Sequence, residues 1–338
     1  MALQKMLRMF NDAFCLREYF LFVLKSDLVP YSELANALSD LPTNSSGLPN
    51  SETLALWQLW HRNGNLKLGR VERVLSDGSR QTQALGITLW ITDTAAQALS
   101  QPSNASCCHR LYRSHLHDPS WVMTGSDIQV AHDSGKLNLM VLHFWSRGEV
   151  TSPDFQPVFL QAHMLFRDLH QGFGVQALYQ EVTQIEVPFL TAAGMALMHS
   201  SSNTDPASLA WMGITRAQAA AKPGSTFSFL FMSPERRLAL HPAVQRMLTL
   251  AVKQITDEEI ADALGCSRDY VRKLWTQAYH CMEQTGVLTP MNTPVAGSSL
   301  PVRGRERRRT AIEFMRANPH EMRPGLPTKR RTALDSRG

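Results

Sequence analysis

The sequence lacks the long apolar runs and the cysteine framework that mark membrane and secreted proteins. No stretch of about 20 residues is both uncharged and strongly apolar, and the best one, 187–198, is too short to span a bilayer. Five cysteines in 338 residues are an odd number without disulfide spacing. The N-terminus, with Lys5 and Arg8, has no secretory signal pattern. These absences predict a cytoplasmic protein in a reducing compartment.

The common signatures of catalysis, cofactor binding and metal binding are also absent. The sequence contains no HExxH, no GxSxG and no phosphate-binding Walker loop. Residues 172–177 fit a G-x-G-x-x-A pattern but follow a predicted helix, which argues against a dinucleotide site. A thiol and imidazole cluster indicates ordinary packing rather than a metal site; its members are Cys107, Cys108, His109, His115 and His117. The sequence therefore predicts no enzyme, no cofactor and no metal.

The net positive charge of the chain comes entirely from its C-terminal end. The chain has 34 basic and 29 acidic residues and a net charge of +5, yet residues 303–337 alone carry a net charge of +7. Residues 288–338 are therefore predicted to be a disordered basic tail. Its arginines and lysines are expected to contact phosphates without sequence specificity, namely Arg303, Arg305, Arg307, Arg308, Arg309, Lys329, Arg330 and Arg331.

The sequence does contain an α+β pattern, which covers residues 50–172. Strand-like segments at 67–75 and 83–91 flank an Asp-Gly turn, and the apolar run 137–145 predicts a third strand. Residues 1–49 are predicted to be a helical segment with a linker, and 173–237 a helical connector that either stands alone or belongs to the α+β domain. Five tryptophans indicate a core, or alternatively a ligand pocket; they are Trp57, Trp60, Trp90, Trp121 and Trp145.

A helix-turn-helix pattern follows at 254–275. Thr256 and Glu259 form a capping box at the start of a short helix, and Gly265 lies where the chain must turn. Ser267 caps a second helix, which presents Arg268 and its polar neighbours outward. Such a helix fits the major groove of DNA.

Residues 238–287 resemble the DNA-binding domain of LuxR-type (FixJ- or NarL-type) transcription factors. The resemblance depends on the T-D-E-E-I-A-x-x-L-G-x-S stretch, followed by Tyr270, Val271 and Arg272. The family's Lys-Leu-Gly ending is missing, and Leu274 occupies the position of a common histidine. The fold class predicted from these parts is an α+β sensor-like domain, a helix-turn-helix domain and a disordered tail. The resemblance implies a GAF- or PAS-like sensor at 50–172.

The predicted function is therefore a DNA-binding transcriptional regulator. Its partners would be double-stranded DNA, a second copy of the chain in a homodimer, and a small-molecule or protein ligand for the sensor. The residues expected to contact DNA are Ser267, Arg268, Asp269, Tyr270, Arg272, Lys273 and Thr276.

The charge of the helix-turn-helix supports an alternative. Residues 235–284 contain seven basic and seven acidic residues, so their net charge is zero. Because phosphate neutralisation supplies much of the affinity for DNA, the region is also compatible with a protein-interaction module. The basic tail alone would then bind nucleic acid.

Overall fold

A computed structural model describes most of the chain and divides it into two compact units. The described residues are 23–42, 46–103, 105–148, 152, 155–201, 205, 208–232, 236–253, 255–289 and 304–323. Unit 1 comprises Met1–Leu89, Cys108–Arg113 and Val141–Leu169. Unit 2 comprises Trp90–Cys107, Ser114–Met140 and His170–Gly338. Among the described residues, no helix is both long enough and apolar enough to cross a membrane.

The strands form one seven-stranded sheet in the order β1-β2-β3-β4-β5-β7-β6. Antiparallel pairing joins β1 to β2, β2 to β3, β5 to β7 and β6 to β7. In chain order the strands are β1 Val23–Leu28, β2 Lys67–Val74, β3 Arg80–Ile91, β4 Leu137–Ser146, β5 Val175–Thr183, β6 Ala196–Ser200 and β7 Leu209–Thr215.

The described residues also form twelve α-helices. The first six are α1 Leu34–Asp40, α2 Asn50–Arg62, α3 Asp93–Leu99, α4 Cys107–His117, α5 Gly125–Ser134 and α6 Phe155–His170. The others are α7 Val187–Ala192, α8 Arg216–Ala221, α9 Pro242–Ala251, α10 Asp257–Leu264, α11 Arg268–Gln284 and α12 Gly304–Ala317.

In unit 1, the sequences of α2 and β2 show how helices pack closely on the sheet. Helix α2 buries Thr53, Leu56, Trp57 and Trp60, which recur at the spacing of one helical face. Gly69 on β2 has no room for a side chain, because a Cβ there would lie 2.7 Å from Leu165 of α6. The absence of a side chain at that strand position lets α6 approach the sheet closely.

In unit 2, four helices share a second core. The capping box of Thr256 and Glu259 is formed at the start of α10, and Gly265 ends that helix with φ 61° in the left-handed region. Apolar residues of α9, α10 and α11 enclose Met247 and Val271, and Met315 of α12 packs against the same core. Burial of these side chains supplies most of the free energy that holds short helices together.

The expected fold class, a sensor-like domain followed by a helix-turn-helix domain and a disordered tail, is wrong. The sheet continues through β5, β6 and β7, so strands occupy much of the segment expected to be a helical connector. Strand β5 forms because seven of its residues pair with β7, a contact that no local pattern shows. The expected disordered tail contains α12, whose Ala311 and Met315 are fully buried.

Candidate functional site

Three polar ring side chains of unit 1 meet beneath α2. Trp57 comes from the buried face of α2, Tyr112 from α4, and His143 from β4. Trp57 and Tyr112 are fully buried, whereas His143 remains partly exposed. The Tyr112 and His143 rings stack with their centroids 6.0 Å apart, and Trp60 packs on the other side at 5.5 Å. We call Trp57, Tyr112 and His143 the ring relay.

Hydrogen bonds in the ring relay run in one direction. The indole N–H of Trp57 donates to the Tyr112 hydroxyl oxygen at 2.8 Å, and that oxygen lies 3.2 Å from Nε2 of His143. Indole can only donate, so the tyrosine oxygen accepts from Trp57. Among the described residues the one other partner of this buried hydroxyl is His143, so its own proton points there. Nε2 of neutral His143 is then the acceptor, and Nδ1 carries the proton.

Both titrating members of the ring relay are neutral at pH 7. Burial, and to a smaller extent nearby His109, together lower the pKa of His143 from 6.5 to about 4. Burial also raises the pKa of Tyr112, although its hydrogen bond from Trp57 acts in the opposite direction. Within the described part of the chain, no group accepts a hydrogen bond from Nδ1 of His143. The imidazole therefore offers a neutral donor with a fixed tautomer.

Close packing holds the surroundings of the ring relay in place. Gly47 has φ 67° and lies against the ring of His109, where a Cβ would come within 2.7 Å of the imidazole carbons. The thiol of Cys108 donates to the carbonyl oxygen of Leu142 at 2.9 Å. This bond ties α4 to β4 beside His143 and fixes the distance between Tyr112 and His143.

The ring relay suits chemistry at a carbonyl group. A neutral imidazole with a protonated Nδ1 can donate to an oxygen that gains negative charge, and such donors act strongly in a desolvated site. Among the described residues, no group of three or more His, Cys, Asp or Glu side chains is arranged to hold a metal ion. In the predicted thiol and imidazole cluster, Cys107 and Cys108 are buried thiols of α4 that form no disulfide.

Sequence reasoning missed the ring relay as a unit. Trp57 was predicted only as core or pocket lining. His143 was hidden in the apolar run of β4, and Tyr112 in a helix. The available signal was a histidine inside an otherwise apolar strand, since a buried imidazole needs a hydrogen-bond partner.

The residues predicted to contact DNA lie at the N-cap and in the first half of α11, and several of them form hydrogen bonds or ion pairs within the protein. Ser267 is the N-cap and its hydroxyl accepts from the Tyr270 amide at 3.2 Å. Arg268 is 2.6 Å from Glu258, and Arg272 is 3.0 Å from Asp269. The structure places the two other residues, Lys273 and Thr276, on the exposed side of α11.

The arginines of the expected tail are used for packing. Arg307 pairs with Glu283 and lies 4.9 Å from the Tyr279 ring centroid, with 7% of its side chain exposed.

Arg308 is 2.9 Å from Asp257 and 4.8 Å from the Trp275 ring centroid, and Arg309 is 2.7 Å from Glu306. Arg309 keeps 66% of its side chain exposed, and the predicted phosphate contacts of these three arginines stay a prediction. The remaining side chains of that prediction lie outside the described residues, namely Arg303, Arg305, Lys329, Arg330 and Arg331.

Comparison with known proteins gives structural similarity but no sequence match. No family model and no curated protein matches the chain. The spermidine/spermine N-acetyltransferase SpeG from Vibrio cholerae is 11% identical, with a TM-score of 0.33 over 60% of this chain and 96% of that chain. FdhC, described as a nucleotide-linked sugar GNAT, is 10% identical, with a TM-score of 0.32 over 61% and 94%. An uncharacterized Bacillus halodurans protein is 7% identical, with a TM-score of 0.34 over 59% and 86%.

These findings correct the functional expectations. The resemblance to LuxR-type regulators is wrong, since no family model matches the chain. The predicted DNA-binding regulator and its alternative, an interaction module with a nucleic-acid-binding tail, are wrong with it. The prediction that the chain is not an enzyme is corrected too, because the absence of known sequence motifs does not exclude a catalytic site. The expected partners, double-stranded DNA with a homodimer bound to it and a sensed ligand, are corrected with them. Physically, the arginines that suggested phosphate binding are paired within the protein.

Proposed function

We propose that unit 1 is the catalytic part of an enzyme that acts on a carbonyl group, with acyl transfer to an amine as the reaction. The observation that carries the proposal is the ring relay, which leaves Nδ1–H of a neutral, partly exposed His143 as its one unused donor. In this reaction His143 donates to the carbonyl oxygen of the acyl group.

The direction of the ring relay supports this role. As a nucleophile attacks, the carbonyl oxygen becomes an oxyanion, and the bond from Nδ1–H strengthens while that charge develops. Trp57 and Tyr112 keep Nε2 as the acceptor, so the donor needs no rearrangement. The low pKa of His143 keeps the ring neutral throughout the physiological range.

The atoms of the reaction balance without a redox partner. With a thioester donor, the C–N bond forms, the C–S bond breaks, and the proton lost by the amine leaves with the thiol. The first acceptors to assay are polyamines and amino sugars, because the names of the similar structures include a spermidine/spermine N-acetyltransferase and a nucleotide-linked sugar GNAT.

The test is thiol release from acetyl-coenzyme A in the presence of these amines, with product confirmed by mass spectrometry. His143→Ala should lower kcat/KM by about 10²–10³-fold, the usual cost of losing one oxyanion donor. Tyr112→Phe removes the proton that fixes the tautomer, and should cost about tenfold. His163→Asn, at a half-buried histidine of α6 outside the ring relay, is the matched control and should stay within about twofold.

Two results would overturn the proposal. One is the absence of acyl transfer to every amine tested by the folded wild-type chain. The other is full activity of His143→Ala with an unchanged circular dichroism spectrum.

A further inference from the structure

The C-terminal strap, which we define as residues 304–323, is attached to unit 2 at two places. Its first attachment is to the helices of the second core, through Arg307, Arg308 and Arg316. Arg316 donates to the carbonyl oxygen of Val252 at the end of α9, at 2.8 Å and 3.2 Å. The second attachment is to residues 171–174, which precede β5 and which we call the GFG turn.

The end of the strap is fixed by one buried carboxylate. Glu321 is fully buried, and its two oxygens accept from the backbone amides of Arg237 at 2.7 Å and Leu238 at 3.0 Å. Two charge-assisted bonds satisfy this carboxylate in the absence of water. They also hold the neighbouring residues of the strap against the GFG turn.

Contacts at the GFG turn are close and specific. Arg323 donates from Nε to the carbonyl oxygen of Gln171 at 2.9 Å, and its guanidinium lies 4.7 Å from the ring centroid of Phe173. Gly172 has φ 85°, and a Cβ there would come within 2.6 Å of the backbone nitrogen of His320. The second attachment therefore depends on the GFG turn keeping its conformation.

His132 of α5 holds that conformation. Its Nδ1 accepts from the backbone amide of Gly174 at 2.8 Å, and its ring meets the edge of Phe173 at 5.8 Å. Only an imidazole without a proton on Nδ1 can accept this bond. Protonated His132 would place N–H against N–H, so the Gly174 amide would lose its acceptor in a buried position.

The charges around His132 keep it neutral. Its pKa is lowered to about 4, mainly by burial and also by Arg236 and Arg323, while Asp133 acts in the opposite direction. Burial also lowers the pKa of His320, against the opposing effect of Glu321. Other titratable or charged groups near the GFG turn and His132 are His170, whose ring packs on Trp90, and Arg216, which lies beside Gly135.

We propose that acid releases the strap. Protonation of His132 breaks its hydrogen bond to the Gly174 amide, and the GFG turn then loses its contacts with Arg323 and residues 318–322. A solvent proton binds Nδ1, and no other bond forms or breaks covalently. Release uncovers the Phe173 ring that Arg323 now covers. This inference concerns unit 2 and is independent of the function proposed for unit 1.

The test is hydrogen exchange of the full chain at pH 7.5 and pH 5, corrected for intrinsic rates and read by mass spectrometry. If His132 has its ordinary pKa of 6.5 when the strap is open and about 4 when it is closed, linkage raises the opening equilibrium about 30-fold at pH 5. Peptides from residues 310–323 should show that increase. Peptides from 271–278 in the core of α11 should change by less than about threefold.

Variants separate release from general acid unfolding. His132→Asn places an oxygen near the position of Nδ1 and cannot titrate, so its strap should lose most of the 30-fold response. The part that remains belongs to His320, whose pKa burial also lowers. His280→Asn, at an exposed histidine of α11, should retain the full 30-fold response. Arg323→Gln removes the attachment itself and should open the strap already at pH 7.5.

Three results would overturn the proposal. The first is a strap whose exchange in the wild-type chain does not depend on pH. The second is an equal increase in 271–278, and the third is an unchanged response in a folded His132→Asn.

Discussion

Each unit contains a histidine whose pKa is lowered to about 4, and the two use Nδ1 in opposite ways. In unit 1, Nδ1 of His143 carries the proton and has no acceptor among the described residues, because Tyr112 donates to Nε2. In unit 2, Nδ1 of His132 is the acceptor for the Gly174 amide. The comparison teaches that a depressed pKa alone does not show what a histidine does. The hydrogen bond at one nitrogen decides what the other nitrogen can offer.

The largest expected effect comes from filling the space beside His132 and, in unit 1, the space beside His109, the neighbour of His143. Gly174→Ala puts a Cβ 2.1 Å from the backbone oxygen of His132, whereas Gly47→Ala puts one 2.7 Å from the side chain of His109. Backbone cannot give way as a side chain can, so we expect a loss of about 3–5 kcal/mol for Gly174→Ala and about 1–2 kcal/mol for Gly47→Ala. Urea denaturation at pH 7.5 measures both. Equal losses would show that the GFG turn is no more constrained than the loop at Gly47.

The second effect is a loss of stability in acid that both histidines share. Each folded pKa lies near 4, below the ordinary 6.5, so the stabilisation is complete above pH 6.5 and is lost as the pH falls toward 4. Between pH 7.5 and pH 5 each histidine should cost about 2 kcal/mol of unfolding free energy.

Urea denaturation of the wild type, His132→Asn and His143→Asn at the two pH values provides the measurement. Each variant should lose about 2 kcal/mol less than the wild type between pH 7.5 and pH 5. A variant with the same pH dependence as the wild type would mean that its histidine is not held neutral by the fold.

The smallest expected effect is a difference in tautomer between His143 and His132, and it can be measured on the wild-type protein. At pH 7.5 the ¹⁵N spectrum of labelled histidine should show His143 protonated on Nδ1 and His132 protonated on Nε2. The two nitrogens of a neutral ring differ strongly in chemical shift, so the assignment is unambiguous once each ring is identified by its Asn variant. The same tautomer at both positions would contradict the claim that the two histidines use Nδ1 in opposite ways.

Three of the seven strands could be predicted from local pattern, because β2, β3 and β4 carry their own signals. An Asp-Gly turn and an apolar run located β2, β3 and β4. Strand β5 was predicted as helical because its glutamines and Glu181 give it no clean alternation. It becomes a strand through pairing with β7, whose sequence lies more than 25 residues away.

The strap and the ring relay could not be predicted for a related reason. Arginines close together in sequence repel one another, so a dense run of them predicts disorder. In the fold, Glu283 and Asp257 lie beside Arg307 and Arg308 and neutralise that repulsion. Trp57 and Tyr112 are separated by 55 residues, and Tyr112 and His143 by 31. No spacing rule covers such distances, since only the fold brings these side chains together.

The division of the chain has a consequence for how the protein can be dissected. The boundaries between the two units fall within β3, α4, β4 and α6, and the backbone passes from one unit to the other five times. Neither unit is continuous in sequence, so a single truncation cannot isolate either one. Experiments on either unit therefore require the full chain.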